Sequence, residues 1–281
     1  MTMTPGIATR TTAVHPSTSP GITASMADTW TIAVRELQHW RNRPGVMAFG
    51  WLFPVITVLM FLALLGGTVS ASTGGSYIDF VVPGALAMTM FFGLESTMTA
   101  VYVDASKGVA DRFRSLPMSG AAVLAGRCVA DMINSMVSLA VMVATGLVLG
   151  WRPNASAPSI IAALGLLLLL RLGMLWVGMF VGLIAKSQEA VTAMQIVTWP
   201  ILMVSTVFID TSTMPRWLGI IAEANPLSTT STAARELLGN PAYAGNSWFT
   251  ENAVALAVVV PIALLVVFLP MAANAYRRRR R

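Results

Sequence analysis

In a chain of 281 residues, 56% are hydrophobic, only 11% are charged and the mean hydropathy is +0.71, which is too apolar for an ordinary water-soluble domain and makes the bilayer its natural solvent. The formal net charge of +6 raises nucleic acid as a partner, but the basic residues follow the expected membrane boundaries instead of forming a compact patch, so nucleic acid is excluded. The lone cysteine, Cys128, excludes an intramolecular disulfide and a multi-cysteine metal cage, and reads as a small buried residue.

Residues 1–25 are rich in Thr, Ser, Pro and Ala, lack a signal-peptide core, and read as a disordered cytoplasmic tail. Over 26–43, Met26, Trp30, Ala33, Val34, Leu37 and Trp40 recur at helical spacing, and Arg35, Glu36, Gln38, His39, Arg41 and Arg43 fill the other face. This pattern predicts an amphipathic helix in the headgroup plane, with Asp28 as its cap and Pro44-Gly45 as its stop. A mere anchor is the plainer reading of the same helix.

A crossing helix needs roughly 20 mainly apolar residues at about 1.5 Å each. Six stretches qualify: 46–66, 79–103, 129–150, 159–184, 190–209 and 252–274. With the N-terminus inside, Arg10, Arg35, Arg41, Arg43, Lys107, Arg112, Arg114, Arg127, Lys186 and the five arginines of the basic tail 277–281 are cytoplasmic. Arg152, Arg216 and Arg235 fall outside, so the positive-inside rule selects two cytoplasmic termini. The 66–76 segment is a short outer turn.

Between the second and third spans, 104–127 is strongly polar. Its 107–116 stretch predicts a short helix with Val109, Phe113 and Leu116 on one side, ended by Pro117, and so a docking ridge for a cytosolic partner. Before the last span, 210–251 holds an apolar cluster (Pro215, Trp217, Leu218, Ile220, Ile221), the Asn225-Pro226 break and a second short helix from Ser228 to Leu238. Two helices split in this way suggest a re-entrant element, with an extracellular cap as the alternative.

Glu95 and Arg171 are intramembrane charges that need a physical account. Their depths differ by about 7 Å, which a long arginine can bridge, so they form one candidate pair. The alternative is that Arg171 reaches toward water or a dimer interface. Gly165, Gly173, Gly178 and Gly182 predict close helix approach, Gly178 and Gly182 as a G-x-x-x-G. The 18 methionines read as core filler or as an adaptable path for apolar cargo. No G-x-x-x-x-G-K-[ST] loop occurs, and His15 and His39 are the only histidines, which leaves no nucleotide-binding motif, zinc constellation or histidine-based triad.

Three segments, FVVPGALAMTMFFG (80–93), GVADRFRSLPMSGAAVLAGRCVAD (108–131) and TMPRWLGIIAEANPLSTTSTAARELL (213–238), resemble the permease subunits of type-2 ABC exporters, in particular their daunorubicin-resistance-like branch. The resemblance extends from Trp30 to Ala275. It implies an all-α, six-span membrane protein, with both termini cytoplasmic, in a bacterial plasma membrane. Its parts would be an interfacial helix (Trp30, Arg35, Glu36, Leu37, Trp40), a coupling helix (Lys107, Asp111, Arg112, Phe113, Arg114, Leu116, Pro117) and a re-entrant break (Asn225, Pro226, Leu227). Gly120 departs from the polar or basic residue that relatives often carry there.

The resemblance further implies a transporter of two permease copies, identical or paralogous, with two separate ATP-binding subunits that hold ATP and Mg. This chain would then carry no cofactor and catalyse nothing. Its cargo would be hydrophobic, amphipathic or lipid-like, because few polar groups line the spans. Rival readings are an ion-coupled secondary transporter, an intramembrane enzyme and a structural assembly factor.

Overall fold

The computed structural model describes residues 22–41, 44–73, 76–107, 120–209, 211, 214–240 and 247–279. All regular structure among the described residues is helical: α1 (Ile22–Arg41), α2 (Pro44–Thr73), α3 (Tyr77–Ser106), α4 (Gly120–Val148), α5 (Ala157–Ile184), α6 (Gln188–Met203), α7 (Arg216–Glu223), α8 (Pro226–Leu237), α9 (Trp248–Glu251) and α10 (Ala253–Arg279). Of these, α2, α3, α4, α5 and α10 are long and apolar enough to cross a bilayer.

Several boundaries differ from the expected ones for local reasons. α1 begins at Ile22, so Asp28 lies inside it and does not cap it. α1 ends at Arg41, ahead of the expected Pro44-Gly45 stop, and Pro44 also opens α2, because a proline in the first turn forfeits no intrahelical bond. α2 continues through the expected 66–76 turn to Thr73, since Gly66 and Gly67 only weaken a helix whereas a proline would break it. α4 starts at Gly120 within a run of good helix formers, which moves Arg127 from a loop onto a helix. α10 extends through the basic tail to Arg279, and cations favour a helix C-terminus.

The largest departure is the expected span 190–209. Its helix, α6, has 16 residues, about 24 Å against a hydrocarbon core of roughly 30 Å, and 204–209 leaves the helix.

α3 is central: 72% of its apolar stretch is buried, against 11% for α10 on the periphery. Glycines set how closely α5 meets its neighbours. A Cβ on Gly178 would stand 2.8 Å from the Leu94 carbonyl oxygen, and one on Gly182 2.5 Å from that of Met98, so the G-x-x-x-G face of α5 lies against the α3 backbone. Gly173 does the same toward Pro261 of α10, at 2.9 Å. Gly165 meets nothing within 4 Å and has no such role.

α1 rests on α4 at Gly126, whose Cβ would fall 2.6 Å from the Thr29 oxygen and 2.7 Å from the Ile32 Cβ. Its buried residues are Ile32 and Ala33, whereas Met26 and Trp30 are exposed. The face turned to the protein is therefore rotated from the Met26–Trp30 line of the sequence pattern.

Candidate functional site

A polar network sits in the middle of the helices. Asp131 lies 11 residues into α4 and Arg171 lies 13 residues before the end of α5, so both are roughly 16–20 Å from the same end of the bundle. The side chain of Arg171 is 1% exposed, and its Nη2 stands 3.8 Å from Asp131 Oδ2. Two hydroxyls close the gap. Thr97 accepts from Arg171 Nη2 at 2.8 Å and donates to Asp131 Oδ2 at 2.7 Å. Ser135 accepts from Arg171 Nε at 2.7 Å and donates to the Asp131 carbonyl at 2.7 Å. Charge and hydrogen bonds are supplied together at Nε and Nη2, the condition under which a buried ion pair is tolerated, while Nη1 has no hydrogen-bond partner among the described residues. A Cβ on Gly93 would fall 2.5 Å from Arg171 Nε, so the glycine makes room for the guanidinium. The carboxylate partner of Arg171 is Asp131, not the Glu95 suggested by depth along the chain.

Glu95 faces a different space. A cavity of about 530 Å³ opens between α2, α3, α4 and α6, within the roughly 300–1,000 Å³ range of small-molecule sites. One wall is aromatic: Phe53, Phe92 and Trp199 are mutually in contact, with ring centroids 5.3 to 6.0 Å apart. The other wall carries hydroxyls and amides, among them Ser96, Thr99, Asn134, Ser135 and Gln195. Trp51 donates to Asn134 Oδ1 at 2.9 Å, and Gln195 donates to Thr99 at 3.0 Å. Glu95 is the one charged residue among the described residues of the lining. Its Oε1 is shielded from solvent and accepts no hydrogen bond among the described residues. Ser135 belongs to both cavity and network, so the ion pair stands behind the cavity wall.

At the other end of α3 a second cluster ties the irregular 204–209 segment down. Asn225 caps α8 by accepting from Leu227 N at 3.0 Å, and its Nδ2 donates to the carbonyls of Ile201 and Val204 at 2.7 and 2.9 Å. Pro226 is the first residue of α8, and Leu227 is fully buried. The sequence-predicted break therefore sits on the residue that satisfies the carbonyls α6 leaves open. Arg235, counted by charge among the residues outside the spans, is 2% exposed. It donates to the carbonyls of Phe80, Thr206 and Val207 at 2.9, 2.8 and 3.1 Å, with its guanidinium 3.8 Å over the Phe80 ring. Tyr77 donates to the Phe208 carbonyl at 3.0 Å.

At the opposite end, Arg127 on α4 is ion-paired with Asp104 of α3. Arg35 donates to Glu36 at 2.9 Å on an exposed surface, and Leu37 is half-buried. Lys107 is the exposed residue that ends α3. Asp111, Arg112, Phe113, Arg114, Leu116 and Pro117 lie outside the described residues, as does the Trp40 side chain.

Asp131 is legible in the sequence, because it lies inside the predicted span 129–150 and is an intramembrane charge by the criterion that singles out Glu95 and Arg171. Thr97 and Ser135 bear no such mark. Burial of Arg235 is foreshadowed only by its apolar neighbours Ala233, Ala234, Leu237 and Leu238.

The model of the ABC-2 type transporter family matches residues 27–238. The chain is 31% identical to a daunorubicin resistance ABC transporter permease protein of Streptomyces coeruleorubidus, over 99% of both chains. It is 26% identical to a transport permease, ycf38, of Porphyra purpurea, over 78% of this chain and 74% of that protein. Against the Cyanophora paradoxa counterpart the identity is 24%, over 75% and 72%.

Proposed function

Because the chain belongs to the ABC-2 type transporter family and is a multi-pass membrane permease, we propose that it is the membrane half of an ATP-driven exporter whose motor is a separate ATP-binding subunit. The observation that carries the reading is full-length similarity to a drug-resistance ABC permease in a chain with no phosphate-binding loop of its own. Two permease copies and two ATP-binding subunits would form the transporter, in a bacterial plasma membrane.

In this reading the chain crosses six times with both termini cytoplasmic. Gln195 of α6 meets Thr99 toward one end of α3, and the 206–208 segment meets Phe80 and Tyr77 at the other, a course that supports a sixth crossing by α6 and 204–209 together. α7 and α8 then form a re-entrant pair at the outer side, and its Asn225 and Arg235 meet the carbonyls freed at the end of α6 and in 204–209.

Closure of the motor on ATP would push on the 107–117 segment, and on α1 through its contact with α4 at Gly126. Asp104 and Arg127 join α3 to α4, two of the helices that wall the cavity. Cargo would be hydrophobic, amphipathic or lipid-like, in keeping with the aromatic wall of the cavity.

The test is purification of the tagged chain from native membranes in mild detergent, with mass spectrometry of bound proteins and an ATPase assay. A stoichiometric protein bearing a Walker motif, with ATP turnover, is the expected result. Its reproducible absence from an intact permease would favour an ion-coupled secondary transporter.

A further inference from the structure

Among the charges inside the helices, Glu95 differs from Asp131 and Arg171 in having a cavity instead of a partner. The hydroxyl-bridged network takes up the charge of Arg171 within the protein. Glu95 lines a cavity of about 530 Å³ with no basic side chain among its described lining residues, and its Oε1, shielded from solvent, accepts no hydrogen bond among the described residues. A half-buried carboxylate with one oxygen shielded and undonated, and with no countercharge in the described lining, favours a cation brought into the cavity. Across the same space, Phe53, Phe92 and Trp199 form a continuous aromatic surface. Aromatic faces attract flat apolar rings and cations alike.

Resting on the exporter reading above, we propose that this cavity is a substrate site within a single permease copy for an aromatic or otherwise apolar molecule bearing an amine or other cation, with Glu95 as the counterion. The aromatic wall receives the apolar body. Hydroxyls and amides on the facing wall hydrogen-bond its polar substituents. Glu95 supplies the charge selectivity, since an uncharged or anionic molecule of the same shape would leave the carboxylate without a partner.

The test titrates the detergent-solubilised full chain into ethidium, a planar aromatic cation, and separately into Nile red, an uncharged aromatic, with fluorescence anisotropy as the readout. The wild-type chain is expected to bind ethidium saturably and to release it to tetraphenylphosphonium. Glu95→Gln should weaken ethidium binding about tenfold or more and leave Nile red binding within about twofold, as expected for loss of one charge-assisted contact. Trp199→Ala should weaken both ligands, and Trp199→Phe should restore them.

Absence of saturable ethidium binding to the wild type overturns the proposal, and so does equal ethidium affinity in Glu95→Gln. If Glu95→Gln does not elute as a folded species, competition on the wild-type chain decides. Displacement of ethidium by tetraphenylphosphonium supports the site, whereas displacement by Nile red alone overturns it. Binding is read without ATP or a partner, so its failure leaves the exporter reading standing, and failure to recover an ATPase leaves the binding result standing.

Discussion

Arg171 is held by charge and geometry at once, and its removal should be felt throughout the centre of the molecule. Replacing it with Met leaves Asp131 buried without its cation, a loss of about 3–5 kcal/mol for a broken buried pair. The double variant Arg171→Met with Asp131→Leu removes both charges and should recover part of that loss, as coupled neighbours do. Thermal unfolding midpoints in detergent check the pair, and a double variant no more stable than the single would contradict the coupling. Asp131 was open to detection from its position in a predicted span. The two bridging hydroxyls were not, because Thr97 and Ser135 acquire meaning only when three helices bring them to one point.

Helix contacts are where sequence periodicity and structure agree most closely. The Gly178–Gly182 pattern predicted a close approach, and the α3 carbonyls of Leu94 and Met98 stand where side chains would need room. Gly182→Val should therefore cost about 1–3 kcal/mol through overpacking, while Gly165→Val, facing open space, should leave the melting midpoint nearly unchanged. The same comparison of melting midpoints tests both substitutions. The Asn225-Pro226 break was visible because Pro fixes the start of a helix and Asn caps it. Asn225→Ala should cost about 1–3 kcal/mol, because it removes the cap and leaves the Ile201 and Val204 carbonyls unmet. Local propensity does not settle every boundary. Pro44 both follows the end of α1 and begins α2, and the apolar run 190–209 is not one helix because its last residues bond sideways to Asn225, Arg235 and Tyr77.

For the molecule as a whole, the number of crossings decides which side each terminus occupies. Five crossings place the termini on opposite sides and six place them together. Single cysteines introduced as Thr12→Cys and Arg281→Cys in a Cys128→Ala background should both be labelled by a membrane-impermeant maleimide in inside-out vesicles and in neither case in right-side-out vesicles. Labelling from opposite sides would remove α6 with 204–209 as a crossing. That the chain is a bundle of apolar crossing helices was legible in its long apolar runs, whereas the side on which each basic cluster lies follows from the crossing count that this labelling reads. The cavity was not legible, because its walls come from four helices whose mutual rotation no linear pattern states.

ATP-dependent uptake of an aromatic amine such as ethidium into inside-out vesicles, with the chain and its co-purified ATPase expressed together, tests most directly whether this permease is half of a pump. The predicted result is accumulation that requires ATP hydrolysis, persists when proton and sodium gradients are dissipated, and is lost with the Phe113→Ala and Arg114→Ala double variant while the protein remains in the membrane. Accumulation that ignores ATP and collapses with an ion gradient would contradict the account.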